Sequence, residues 1–152
     1  MHVTFEREQS SGYLTNWAAR LFARSIDRRL GMLGLSSGYM PVFFALADGA
    51  ALSQTALATH ASVEQPTMAA TLKRMERDGL IARTPDPADR RSALVSLTPR
   101  AQEKLNGVRA AGLEVNDIAM GPLTAAEQAL YLSLLRRVIG GLENDSADAR
   151  LG

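Results

Sequence analysis

Cysteine is missing from the 152-residue chain, which excludes disulfide frameworks, thiolate zinc sites and thiol redox switches. Histidine occurs only at His2 and His60, far apart in the chain, and this predicts no metal site and no cofactor. Long apolar runs are also missing. The longest strongly apolar stretch, Met40 to Ala47, falls well short of the ~20 residues a membrane span needs. The N-terminal MHVTFEREQS is polar, without the pattern of a secretory signal, so a cytoplasmic protein with no membrane partner is expected. Aromatics are scarce at 5% while Ala and Leu abound, a composition that favours helices over a β-sandwich. No sign of charge dominates. A formal net charge of +1 does not by itself announce a nucleic-acid binder. No nucleophile–base pair, phosphate loop or metal cluster has motif spacing, so no catalytic residue is expected and the chain is not read as an enzyme.

Periodicity shows what is there. From Ser11, Leu14, Trp17, Ala18, Leu21, Phe22 and Ser25 follow helical spacing on one face, and glycines between Gly31 and Gly34 end this first helix. A second helix is predicted from Ser37 to about Ala47, with Pro41 tolerated in its first turn and Asp48-Gly49 as its stop. Ser53 is a good N-cap for a short third helix to about His60. The tight connection Ala61-Ser62-Val63 leads to a fourth, in which Pro66 suits the first position and Met68, Leu72 and Met75 pack at i, i+4 and i+7. Gly79 ends it. The period then switches to two: Leu80–Arg83 and Ala93–Leu97 read as a β-hairpin around the polar tip 85–91. Thr98-Pro99 opens a fifth helix along Ala101, Leu105, Val108, Gly112, Val115 and Ala119. Thr124 with Glu127 makes a capping box for a sixth that runs to about Leu142. Residues 1–10 look loose, and 143–152 read as a disordered tail.

The expected fold is therefore mainly α with a small β-hairpin wing: a winged helix-turn-helix at 37–97, with dimerisation helices at 11–34 and 98–142, all in one domain. On the fourth helix, the side opposite Met68, Leu72 and Met75 carries Pro66, Thr67 and Ala70, then Lys73, Arg74 and Arg77, with Gln65 held extended just before the helix. Small polar groups at the start and cations further along suit a helix seated in the DNA major groove, where its N-terminus meets base edges and the cations meet phosphates. The same face would also suit an ordinary solvated helix. At the hairpin tip, Arg90 and Arg91 follow Asp89 on a loop constrained by Pro85 and Pro87. An arginine there can enter the narrow minor groove, and Asp89 is expected to hold the Arg91 guanidinium in a bidentate pair. Taken alone, the tip would also pass for a solvated charged turn. Between Lys73 and Arg91 the basic surplus is only two, so geometry rather than charge carries this reading.

From Ser53 to Thr98 the chain resembles the MarR family of bacterial transcriptional regulators. The carrying residues are Val63-Glu64-Gln65-Pro66-Thr67-Met68, then Arg74-Met75-Glu76-Arg77-Asp78-Gly79-Leu80-Ile81. They continue in Asp86-Pro87-Ala88-Asp89-Arg90-Arg91-Ser92 and Val95-Ser96-Leu97-Thr98. The resemblance implies a homodimer with one winged helix per subunit, commonly a repressor released by a ligand. In it Gln65, Pro66, Thr67 and Arg74 match the recognition helix, and Asp89 and Arg91 match the Asp-x-Arg pair of the wing. Ala70 departs from the larger polar residue expected in similar sequences, so base preference there stays open. The expected DNA-binding set is Ser53, Gln65, Pro66, Thr67, Ala70, Lys73, Arg74, Arg77, Asp89, Arg90 and Arg91.

The sixth helix points to a dimer independently. Leu130, Leu132, Leu134, Leu135, Val138, Ile139 and Leu142 spread over about 200° of its circumference, where an ordinary surface helix needs a stripe of ~100°. Leu14, Leu130, Leu134, Leu135, Val138 and Ile139 are the expected interface, although burial inside a single bundle would also use such a face. A dimer would set two recognition helices about 34 Å apart on a pseudo-palindromic operator. The resemblance further implies a small aromatic or phenolic effector, for which Trp17, Arg20, Tyr39 and Phe44 are candidates, with plain packing as their other role. A competing reading is a winged-helix protein-interaction module without specific DNA binding.

Overall fold

The computed structural model describes residues 4–149. Its helices are α1 (Ser11–Leu30), α2 (Met40–Ala45), α3 (Gln54–Ala61), α4 (Gln65–Arg77), α5 (Pro99–Met120) and α6 (Ala125–Asp148). Its strands are β1 (Leu52–Ser53), β2 (Ile81–Pro85) and β3 (Ala93–Leu97). The chain is thus mainly helical with a small antiparallel sheet, ordered β1-β3-β2. Two compact units are distinguished, one ending at Val115 and the other starting at Asn116. The break falls inside α5, where the sequence predicts a single domain.

The core of the first unit is apolar. Leu30, Val42, Phe43, Leu46, Leu57, Leu72, Met75 and Val95 are each at most 1% exposed, and Leu105 and Val108 bring in α5. Burying each such side chain stabilises the fold by roughly 1.5–3 kcal/mol. The second predicted helix is broken up: a 3-10 turn at Ser37–Tyr39, then α2, then a second turn at Ala47–Gly49. Asp48 has φ 60° there, a left-handed conformation that no α-helix accommodates. Gly107 lets α5 approach the α1–α2 connection, because a Cβ would sit 2.7 Å from Cδ1 of Leu33.

The wing pairs Ile81 with Leu97 through to Pro85 with Ala93. Its first strand begins and ends later than the predicted 80–83. Pro85 is accommodated because β2 is an edge strand, where a missing N–H leaves no ladder unpaired. On its other side β3 pairs with β1, Leu52 opposite Val95 and Ser53 opposite Leu94, a strand that the sequence does not predict.

Two helices present exposed apolar residues that bear on assembly. Leu14, Trp17 and Leu21 of α1 are 43%, 47% and 48% exposed, so this apolar face does not enter the core. No residue of α6 is buried, and the helix continues through Leu142 to Asp148. The disordered tail expected from residue 143 is therefore helical at 143–148, while 150–152 lie outside the described residues. Near the other end, Arg7–Gln9 form a short 3-10 turn in a region expected to be loose. Among the described residues no single helix is long and apolar enough to cross a membrane.

Candidate nucleic-acid interface

Ser53 starts the helix-turn-helix. Its Oγ accepts from the Ala56 N–H at 3.2 Å, capping α3. That side chain is half-buried, whereas the rest of the expected DNA set is exposed. Ser62 closes α3 in the left-handed conformation at φ 52°, and the backbone re-enters at Gln65. Pro66 lies in the first turn of α4, where its lack of an N–H costs nothing. Gln54 Nε2 donates to Gln65 Oε1 at 3.4 Å, joining the first residues of the two helices.

Along α4 the two faces separate as predicted. Met68, Leu72 and Met75 are buried; Gln65, Pro66, Thr67, Ala70, Lys73, Arg74 and Arg77 are exposed. Thr71 joins the buried side, a polar residue that the apolar pattern passes over, and Arg74 Nη2 reaches its hydroxyl at 3.5 Å. The helix stops at Gly79, φ 72°. The N–H of Leu80 bonds the Met75 carbonyl at 2.8 Å and that of Gly79 bonds Glu76 at 3.0 Å, a Schellman closure that needs the left-handed residue. Thr98 then locks this corner to α5. Its Oγ1 donates to the Gly79 carbonyl at 2.6 Å and accepts from the Ala101 N–H at 3.3 Å.

The wing tip is organised differently from expectation. Asp89 does not pair with the Arg91 guanidinium; its Oδ1 accepts from the Arg91 backbone N–H at 3.0 Å. Asp86 makes the same kind of turn onto the Ala88 N–H at 2.9 Å. Asx turns fix the backbone locally, so Asp89 orients Arg91 through its main chain and leaves the guanidinium free. Among the described residues Lys73, Arg74, Arg90 and Arg91 make no ion pair, whereas Arg83 of the wing pairs with Glu76 of α4 at 3.4 Å. Four unneutralised cations thus stand exposed, two on α4 and two at the wing tip, which suits phosphate contact.

Asp78 anchors the far end of α4. Its Oδ1 accepts from Arg77 Nε at 3.0 Å, and its Oδ2 accepts from the Tyr39 hydroxyl at 2.9 Å. The Arg77 bond, then the Tyr39 bond, hold the Asp78 carboxyl below the ordinary aspartate range. Burial, followed by the bond to Asp78, pushes the Tyr39 phenol upward. A phenol with a raised pKa adds stability below the unfolded value, near 10, and that stability is lost as pH rises through the folded value. Tyr39→Phe is expected to lower urea-unfolding stability by about 1–2 kcal/mol at neutral pH and to remove part of the alkaline decline. An unchanged alkaline limb in Tyr39→Phe would contradict this role.

The four effector candidates stand in different surroundings. Tyr39 is buried with its hydroxyl committed to Asp78. Trp17 stands exposed, stacked edge-on against Tyr13 at 6.3 Å between ring centroids. Arg20 is exposed and Phe44 is 47% exposed. A cleft of about 340 Å³ near the end of α4 is lined by none of them. His2 lies outside the described residues, and among those described no group of three or more His, Asp or Glu could hold a metal ion.

The chain is similar to known proteins. A sequence model of the MarR family matches residues 43–93, from α2 to the start of β3. Transcriptional regulator HosA of Escherichia coli is 36% identical over 98 residues, which span 64% of this chain and 73% of HosA. HTH-type transcriptional repressor NicR of Pseudomonas putida is 33% identical over 100 residues, 66% of this chain and 63% of NicR. BpsR of Bordetella bronchiseptica, solved in a study of how 6-hydroxynicotinic acid regulates its DNA binding, superposes with a TM-score of 0.80 at 24% identity, covering 90% of this chain and 97% of BpsR. With its capped α3, two-faced α4 and arginine-tipped wing, the chain belongs to the MarR family of transcriptional regulators.

Proposed function

We propose that the protein binds a pseudo-palindromic operator in double-stranded DNA as a homodimer and represses transcription. The observation that carries this is the pairing of an exposed, polar-then-basic face on α4 with an unpaired Arg91 at the wing tip. Gln65, Thr67 and Ala70 would face base edges, Lys73 and Arg74 the phosphates, and Arg91 the minor groove. Ser53, Pro66, Arg77 and Arg90 flank these contacts, and Asp89 presents Arg91. Repression is supported by the relative NicR, which is named a repressor. A small aromatic effector is part of the proposal, since the DNA binding of BpsR is regulated by 6-hydroxynicotinic acid. The candidates Trp17, Arg20 and Phe44 keep that role here, with Tyr39 acting through Asp78.

The test is duplex binding by Arg91→Ala. The loss should be about 1–3 kcal/mol, with unchanged circular dichroism. Affinity that is weak from the start and indifferent to Arg91 would favour a protein-interaction module instead.

A further inference from the structure

A second site lies away from the base-reading end of α4. The cleft of about 340 Å³ is bounded by the end of α4, the start of α5 and the α1–α2 connection, a volume in the range of small-molecule sites. Three cations line it: Arg77, Arg100 and Lys104. Its one acid, Asp78, is already bonded to Arg77 and to Tyr39. Arg100 forms no ion pair among the described residues, though its charge reaches Asp78. Lys104 Nζ donates to the Leu33 carbonyl at 2.6 Å, which gives it no neutralising partner. The cleft therefore holds a surplus of two positive charges, with half-buried Leu33 also in its lining.

We propose that this cleft binds a small dianion of the phosphate or phosphate-monoester class, held by Arg77, Arg100 and Lys104. Two charges match the surplus, and guanidinium groups recognise phosphate through paired charge-assisted hydrogen bonds. Nη1 and Nη2 of Arg77 remain available, since Asp78 takes only its Nε. A DNA phosphate is the other source of this chemistry. The thirteen residues of α4 put its two ends about 18 Å apart, which places the cleft well away from base-reading Gln65 and favours a free anion. Binding would draw on Arg77 at the root of α4 and on Lys104, so the site joins α4, α5 and the Leu33 connection.

The experiment is calorimetric titration of the full chain with inorganic phosphate, without DNA, at an ionic strength held constant with chloride. Saturable binding of one phosphate per chain is expected. Arg100→Gln and Lys104→Gln should each weaken it about tenfold or more, Arg100→Lys should restore most of it, and Arg91→Ala should leave it unchanged. No saturable heat, or equal sensitivity to Arg91→Ala, overturns the proposal. A duplex titration in phosphate-free buffer separates the two sources. Arg100→Gln should bind DNA as the parent does. A loss matching that of Lys73→Ala assigns the cleft to the DNA backbone and overturns the free-anion site.

Discussion

Leu134→Glu combined with Val138→Glu should leave a folded monomer whose operator affinity is lower by about 10²–10⁴-fold. The two residues are one turn apart on α6, 45% and 46% exposed. They belong to a face that also shows Leu130, Ile139 and Leu142, at 57%, 47% and 64%. A lone exposed leucine is ordinary; a continuous apolar face of this size marks an interaction surface. If a second copy covers it, each leucine contributes roughly 1.5–3 kcal/mol, and a glutamate there must be desolvated without a partner. The affinity loss follows from geometry. In a dimer the second recognition helix meets its half-site at an effective concentration in the millimolar range, worth about 10²–10⁴ in overall binding, and a monomer forfeits that gain. Sedimentation equilibrium and duplex titration read the two effects separately. A double variant that still sediments as a dimer, or a parent protein that is monomeric at micromolar concentration, would sink the assembly, and a footprint over a single half-site would do the same.

The recognition helix was legible because its burial follows one spacing. Met68, Leu72 and Met75 announce the inward face, and everything opposite them is exposed. Wing and caps were legible for a similar reason: Ser53, Thr98 and Thr124 act on backbone groups three residues away. What escaped depends on partners distant in the chain, or on a choice between two local bonds. Strand β1 consists of two residues and exists because β3 offers Val95 and Leu94 as partners, which no local pattern announces. Asp89 bonds the Arg91 backbone N–H and not the Arg91 guanidinium. The amide wins because an Asx turn orders far fewer side-chain torsions than an ion pair with a solvated arginine. Tyr39 reads as a pocket aromatic until α4 brings Asp78 to its hydroxyl. Polarity does not set the end of α6, which runs to Asp148. Glu143 to Asp148 carry no apolar stripe, yet Ser146 Oγ bonds back to the Leu142 carbonyl at 3.0 Å and the helical ladder continues.

Phe43→Ala should cost about 3–5 kcal/mol of unfolding free energy, while Phe44→Ala, one residue along α2, should cost under about 1 kcal/mol. Phe43 is fully buried and Phe44 is 47% exposed, so two identical deletions test burial alone. The larger loss would be a substantial share of the 5–15 kcal/mol that holds a typical domain together. Because subunit association adds to apparent stability, both variants and the parent belong at one protein concentration. The consequence reaches α4. Phe43 lies in the same cluster as Leu57 of α3 and Leu72 and Met75 of α4, and α2 packs directly on α3. The cavity left by Phe43→Ala opens in the core that also buries Leu72 and Met75 of the helix carrying Gln65 and Thr67, so DNA affinity should fall with stability even though no DNA-facing residue changes. Phe44→Ala should leave DNA affinity near that of the parent. Equal destabilisation by the two variants would mean that Phe44 is covered in the native assembly, and its free exposure would then have to be assigned to the subunit interface.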